Sequence, residues 1–154
     1  MALQLASKRG HTAERLSVKP SIGNILLWRS VYKNKDQFFV DAILVNPFSG
    51  NKIYPGGQTQ AVSIDESFND IDKTSVLHKD IERFAFFSDY YLSFHPKSPE
   101  VLGDLRYAML PNSTEPLWGI VINKDEPNKH IKNARFRDAS KRNWSELLRM
   151  LKGK

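Results

Sequence analysis

The side chains that could do chemistry are few and scattered. The chain has four histidines, His11, His78, His95 and His130, and no cysteine. No two histidines stand at the i, i+4 spacing that sets two ligands on one helix face. Catalytic zinc is normally held by three protein ligands, so a site here would have to gather distant residues, such as His95 with Asp89 or Asp104. His78, among Lys79, Asp80 and Glu82, reads as lying on the polar side of a helix. The segment Ser88–His95 mixes a carboxylate, two phenols and an imidazole, a set able to handle protons. The plainer reading is a helix end whose polar tips satisfy exposed carbonyls while its rings fill the core.

Two charge pairs stand out against apolar surroundings. In Gly103-Asp104-Leu105-Arg106-Tyr107, strand alternation sets Asp104 and Arg106 on one face. Arg106 could then hold an anionic group in its fork or simply pair with Asp104. Arg29 follows Trp28 in an apolar strand and needs a carboxylate partner if half-buried. A hairpin centred on residues 34–36 puts Asp41 opposite it. The candidate catalytic set is thus His95, Asp104 and Arg106. No phosphate-binding glycine loop, nucleophile elbow or metal motif accompanies it.

The elements that must position these residues follow from patterning. Leu3–Arg15 reads as a short helix with Gly10 as its C-cap, the end of a longer helix. Residues 16–154 read as one soluble domain. Ile25–Tyr32 and Gln37–Val45 form a hairpin, the second strand apolar on both faces and so covered on both. Asn46–Asn51 is a turn, Lys52–Tyr54 a short strand and Gln58–Asp72 a polar loop with one short element. Thr74–Tyr91 is the long helix, with Leu77, Ile81, Phe84 and Tyr91 at helical spacing and Asp72 or Thr74 as its cap. Val101–Leu110 and Leu117–Ile122 form a second hairpin, and Ile131–Arg137 is a further strand. Ser140 caps a last helix with an apolar stripe of Trp144, Leu147, Leu148 and Leu151. Short turns between sequential strands imply antiparallel pairing. The expected fold is α+β: a single, mainly antiparallel sheet built from hairpins, with a long central helix and a C-terminal helix packed on it.

Composition narrows the function classes. A 154-residue chain with 40% hydrophobic residues can build a real core. No apolar run approaches the length needed to span a bilayer. Between His130 and Lys154 eight Lys and Arg face two acids, so this tail holds the whole net charge of +6. Such a tail suits anionic lipid headgroups or an acidic partner, or is a solvated helix face. Aromatic and basic residues do not interleave as in RNA-binding modules, so no nucleic acid is expected.

The segments RGHTAERLSVKPSIGNILLWRSVY, QFFVDAILV, SDYYLSFHP, GDLRYAMLP and LWGIVIN resemble the soluble C-terminal part of the membrane-bound metal-dependent hydrolases. These are bacterial inner-membrane proteins described as LexA-regulated. The likeness covers the chain from about Arg9 onward. Its signature positions are Trp28, Arg29, Asp104, Arg106 and Tyr107, to which it attaches no chemistry. It implies a membrane-embedded block, carrying the family's His/Asp metal motifs, to which this domain would be joined through residues 1–15 as the end of a membrane-proximal helix; the excess of Lys and Arg would then favour the cytoplasmic side. A divalent metal would belong to that block, with no cofactor in this chain. Three functions are then open: an accessory domain without activity of its own, a hydrolase domain contributing His95, Asp104 and Arg106, or a binding module for an anionic partner.

Overall fold

A computed structural model describes residues 1–47, 50–137 and 140–154. The fold is α+β, as the patterning predicts, but its strands form two four-stranded antiparallel sheets rather than one. The first has the order β1 (Arg15–Pro20), β2 (Leu27–Asn34), β3 (Gln37–Leu44), β4 (Lys52–Gln60). The second runs β5 (Leu92–His95), β6 (Ser98–Asp104), β7 (Trp118–Val121), β8 (Lys132–Arg135). Each is a meander of neighbouring strands, which short connections favour. The helices are α1 (Ala2–Lys8), α2 (Ile64–Ser67), α3 (Val76–Phe87) and α4 (Lys141–Leu151). No helix among the described residues is long and apolar enough to cross a membrane.

The first hairpin turns on two residues, not three. Asn34 pairs with Gln37, which sets Arg29 opposite Ala42 and Ser30 opposite Asp41. A one-residue slip exchanges the faces of a strand. The expected Arg29–Asp41 pair is therefore absent, and the two residues lie on opposite sides of the sheet. Leu27, Arg29, Val31, Phe38, Val40, Ala42 and Leu44 share the inner face, while Trp28, Ser30, Tyr32, Asp41 and Ile43 share the outer one.

Three apolar clusters hold the molecule. Leu147 and Met150 of α4 pack on Leu27, Ala42, Leu44 and Tyr54 of the first sheet. Burying either side chain fully contributes about 1.5–3 kcal/mol. In the expected stripe of α4, Leu147 is buried and Leu151 partly so, but Trp144 and Leu148 are about half exposed, and Met150 takes the innermost position. Leu77, Ile81 and Ala85 of α3 pack on Leu92, Leu102 and Ile120 of the second sheet. Between the sheets, Val31, Phe38 and Val40 meet Tyr91 and Leu105.

Other boundaries moved for physical reasons. Arg15–Pro20 is a strand, where a helix was expected as far as Arg15. Gly10 has φ +73° and does follow the helix end. Ser75, not Asp72 or Thr74, caps α3 by accepting from His78 N–H at 3.2 Å. That helix stops at Phe87, because Asp89 and Tyr90 take φ of 49° and 55° and cannot continue a right-handed turn. The chain then enters β5, so the residues from Leu92 to His95 lie on a strand and not at a helix end. β4 runs on through Pro55-Gly56-Gly57 to Gln60. A Cβ at Gly56 would lie 2.2 Å from the Asn112 carbonyl oxygen, so only glycine lets the 109–116 segment approach. The expected turn at 46–51 includes Phe48 and Ser49, which lie outside the described residues.

Candidate functional site

Arg29 is the most deeply placed cation, and its partners are carbonyls rather than a carboxylate. Its Nε and Nη2 donate to Leu105 O at 3.2 and 2.8 Å. Its Nη1 donates to Pro111 O at 2.9 Å and Ser113 O at 2.8 Å. Burial pushes the guanidinium down to about 9, with the charge of Asp104 opposing the shift. It therefore remains a cation at neutral pH. The four bonds pin the 105–113 segment against the first sheet.

Asp104 ends β6, fully buried. The expected Asp104–Arg106 pair forms, although Arg106 lies past the strand end, in a turn. Arg106 Nε donates to Asp104 Oδ1 at 2.9 Å and Nη2 to Oδ2 at 2.8 Å. The Arg106 backbone N–H adds a bond to Oδ1 at 3.1 Å. Nη2 also donates to Phe87 O at 2.8 Å, which ties the end of α3 to the same turn. The bonded carboxylate raises Arg106 above its ordinary range. Tyr107 sits against this guanidinium at 5.5 Å and edge-on to Trp118 at 6.0 Å. Trp28 turns the other way, to the outer face, where its indole N–H donates to Ile25 O at 3.0 Å. Arg29, Asp104, Arg106 and Tyr107 are thus brought to one region and Trp28 is not.

His95 does not join them. Across the β5–β6 hairpin Asp104 pairs with Leu92, while His95 pairs with Ser98. The two lie three residues apart along the ladder, about 10 Å at strand spacing. His95 is buried and stacks on Phe136 with ring centroids 3.9 Å apart. Its Nδ1 accepts from Lys97 N–H at 3.2 Å, so the neutral ring carries its proton on Nε2, which has no partner among the described residues. Burial lowers His95 below the usual histidine value; Glu115 opposes that and Lys97 adds to it. Beside it a cavity of about 630 Å³ opens between α4 and the 109–116 segment, with Lys97, Glu115, Phe136, Arg142 and Glu146 among its walls. The charges there are largely spent on each other: Lys97 meets Glu115 at 2.6 Å, and Glu146 meets Arg149 at 2.6 Å.

Two buried carboxylates have partners that patterning did not indicate. Asp41 is held by Arg9, whose Nη1 and Nη2 donate to Oδ2 and Oδ1 at 2.7 and 2.8 Å. Arg9 also reaches the Tyr32 hydroxyl at 3.3 Å, which lies 2.9 Å from His11 Nδ1. The bond to Asp41 raises Arg9 above its ordinary range. Asp80 is bonded by His130 Nδ1 at 2.9 Å, Ile131 N–H at 3.2 Å and Arg83 at 2.8 Å. Burial works against the Asp80 charge, but these bonds outweigh it and hold the carboxyl below the usual range. His78 is buried, not on a polar face, and its Nδ1 is 3.7 Å from Glu82. The signal for Asp41 was in the sequence, as an acid in an apolar strand. The identity of its cation was not.

Among the described residues no group of three or more His, Asp or Glu side chains gathers as a metal site. Comparison of the chain with protein-family models, with curated proteins and with solved structures found no match.

Proposed function

We propose that this chain is an accessory domain of a membrane-bound, metal-dependent hydrolase-type protein and performs no hydrolysis itself. The observation that supports this most directly is how the candidate catalytic groups are used. Both oxygens of Asp104 are taken by Arg106, whose own donors are divided between that carboxylate and Phe87 O. A general base must reach the proton it abstracts, and this carboxylate is closed to solvent. His95 lies at the other end of the hairpin, stacked and buried. The charged groups at the centre behave as internal ties: Arg29 and Arg106 fasten irregular segments that would otherwise leave buried carbonyls unpaired.

In this reading the reaction and any divalent metal belong to the membrane-embedded portion of the parent, and this domain lies on the cytoplasmic face of the inner membrane. The basic tail agrees with that side, where excess Lys and Arg are retained. Purified chain supplied with Zn²⁺ or Mn²⁺ is expected to leave ester, phosphoester and amide substrates intact. Turnover that disappears in His95→Ala or Asp104→Asn would replace this proposal with a hydrolase domain.

A further inference from the structure

We propose that one end of the first sheet is a docking surface for a bilayer containing anionic lipid. The inference deepens the membrane-bound reading above and rests on it for its setting. The surface itself is built from features of this chain.

At that end β1 finishes at Pro20, β2 starts at Leu27, β3 finishes at Leu44 and β4 starts at Lys52, all in register. The β1–β2 loop is tightly made. Asn24 Oδ1 accepts from the N–H groups of Leu26 and Leu27 at 3.1 and 2.7 Å, and its Nδ2 donates to Ser21 Oγ at 2.7 Å. The indole of Trp28 clamps Ile25 O from below. Yet this fastened loop holds Ile22 54% and Ile25 78% exposed. A single exposed apolar side chain needs no explanation, but a contiguous patch does. Here the patch continues along the outer face as an apolar groove of about 380 Å³, with Leu3, Leu16, Val18, Trp28, Ile43 and Val45 among its walls. Leu3, Val18 and Val45 are exposed as well.

Charge decides the occupant. The C-terminal end of α4 reaches the same place: Lys52 Nζ donates to Gly153 O at 3.0 Å, and Tyr54 Oη to Met150 O at 2.9 Å. Lys52, Lys152 and Lys154 are exposed around it. Residues 16–28, 42–47, 50–54 and 147–154, which form this end, contain no Asp or Glu. Glu146, whose charge is felt at Tyr54, is neutralised by its bond to Arg149, so apolar tips beside lysines that pair with no carboxylate among the described residues match an anionic headgroup layer over hydrocarbon: the isoleucines enter the acyl boundary and the ammonium groups stay among the phosphates.

The test is co-sedimentation of the purified chain with phosphatidylcholine vesicles, with and without phosphatidylglycerol. The chain is expected to bind the anionic vesicles, with an affinity that falls as salt rises. Ile22→Ser with Ile25→Ser is expected to weaken this at least about tenfold through lost apolar insertion. Each of Lys152→Ala and Lys154→Ala should weaken it about fivefold. Both isoleucines are exposed, so the double variant should keep the parent's unfolding midpoint. No binding, or equal binding to both vesicle types, overturns the inference and leaves the accessory reading standing, since that is judged by the hydrolysis assay. Binding that survives the isoleucine substitutions but is lost in Lys141→Ala with Arg142→Ala would assign the lipid contact to another face. If the isoleucine variant instead converts a dimer into a monomer with vesicle binding intact, the patch joins two copies of the chain.

Discussion

At the scale of single residues, the most informative side chain is His95. Its ring is fixed by the Lys97 N–H and by Phe136, and its pKa lies below that of an exposed histidine because burial disfavours the cation. The consequence for stability has a definite sign. Below about pH 6.5 the unfolded chain takes up a proton on this residue, while the native state resists. The unfolded state then binds more protons, so this contribution is whole above that pH and is lost as pH falls through it. The thermal midpoint is expected to fall between about pH 7 and about pH 5. His95→Phe keeps a ring against Phe136 and cannot titrate, so its midpoint should fall less over the same interval. Equal falls in the two proteins would show that His95 does not contribute to the pH response.

At the scale of elements, α1 is the test case. Seven residues are too few to hold a helix in water. It stays because Ala6 is buried and because Arg9, just past its end, forks onto Asp41. Arg9 is about a third exposed and Asp41 is closed to solvent. Asp41→Ala should therefore cost about 2 kcal/mol, less than for a fully buried pair. Hydrogen exchange should localise the loss: amides of α1 exchange faster, while those of α3 keep their protection. Unchanged protection in α1 would mean that Ala6 alone holds the helix. Other elements were legible to different degrees. The hairpin of β2 and β3 follows directly from its apolar runs and polar turn. The strand Arg15–Pro20 carried only a short signal, Leu16 and Val18 alternating with Ser17 and Lys19, too brief beside the helical pattern before it and the Pro20 break after it to mark a strand. β5 was hidden inside a helical pattern, since Phe84, Tyr91 and Phe94 keep an apolar rhythm across the break made by Asp89 and Tyr90.

At the scale of the whole molecule, the two sheets are joined chiefly through the Val31–Tyr91–Leu105 cluster and through Arg29. Removing that guanidinium strands three carbonyls in a dry interior. Arg29→Ala should lower stability by about 3 kcal/mol or more, read as a shifted urea midpoint. Arg29→Lys should recover little, because an ammonium cannot serve Leu105, Pro111 and Ser113 from one planar fork. Full recovery by lysine would show that the charge, not the fork, ties the sheets together.

The sequence by itself determined what depends on neighbours in the chain. Antiparallel pairing, the Ser140-capped last helix, the absence of thiol chemistry and the Asp104–Arg106 pair all follow from residues close together or from composition. Tertiary structure alone decided the partners of the buried charges and the division into two sheets. A two-residue turn instead of three placed Arg29 and Asp41 on opposite faces, and a strand's period of two makes that choice absolute. Arg29 then found backbone carbonyls, which every residue type supplies equally and no sequence pattern marks. The separation of His95 from Asp104 was decided the same way, by a pairing register that exists only once β5 and β6 lie side by side.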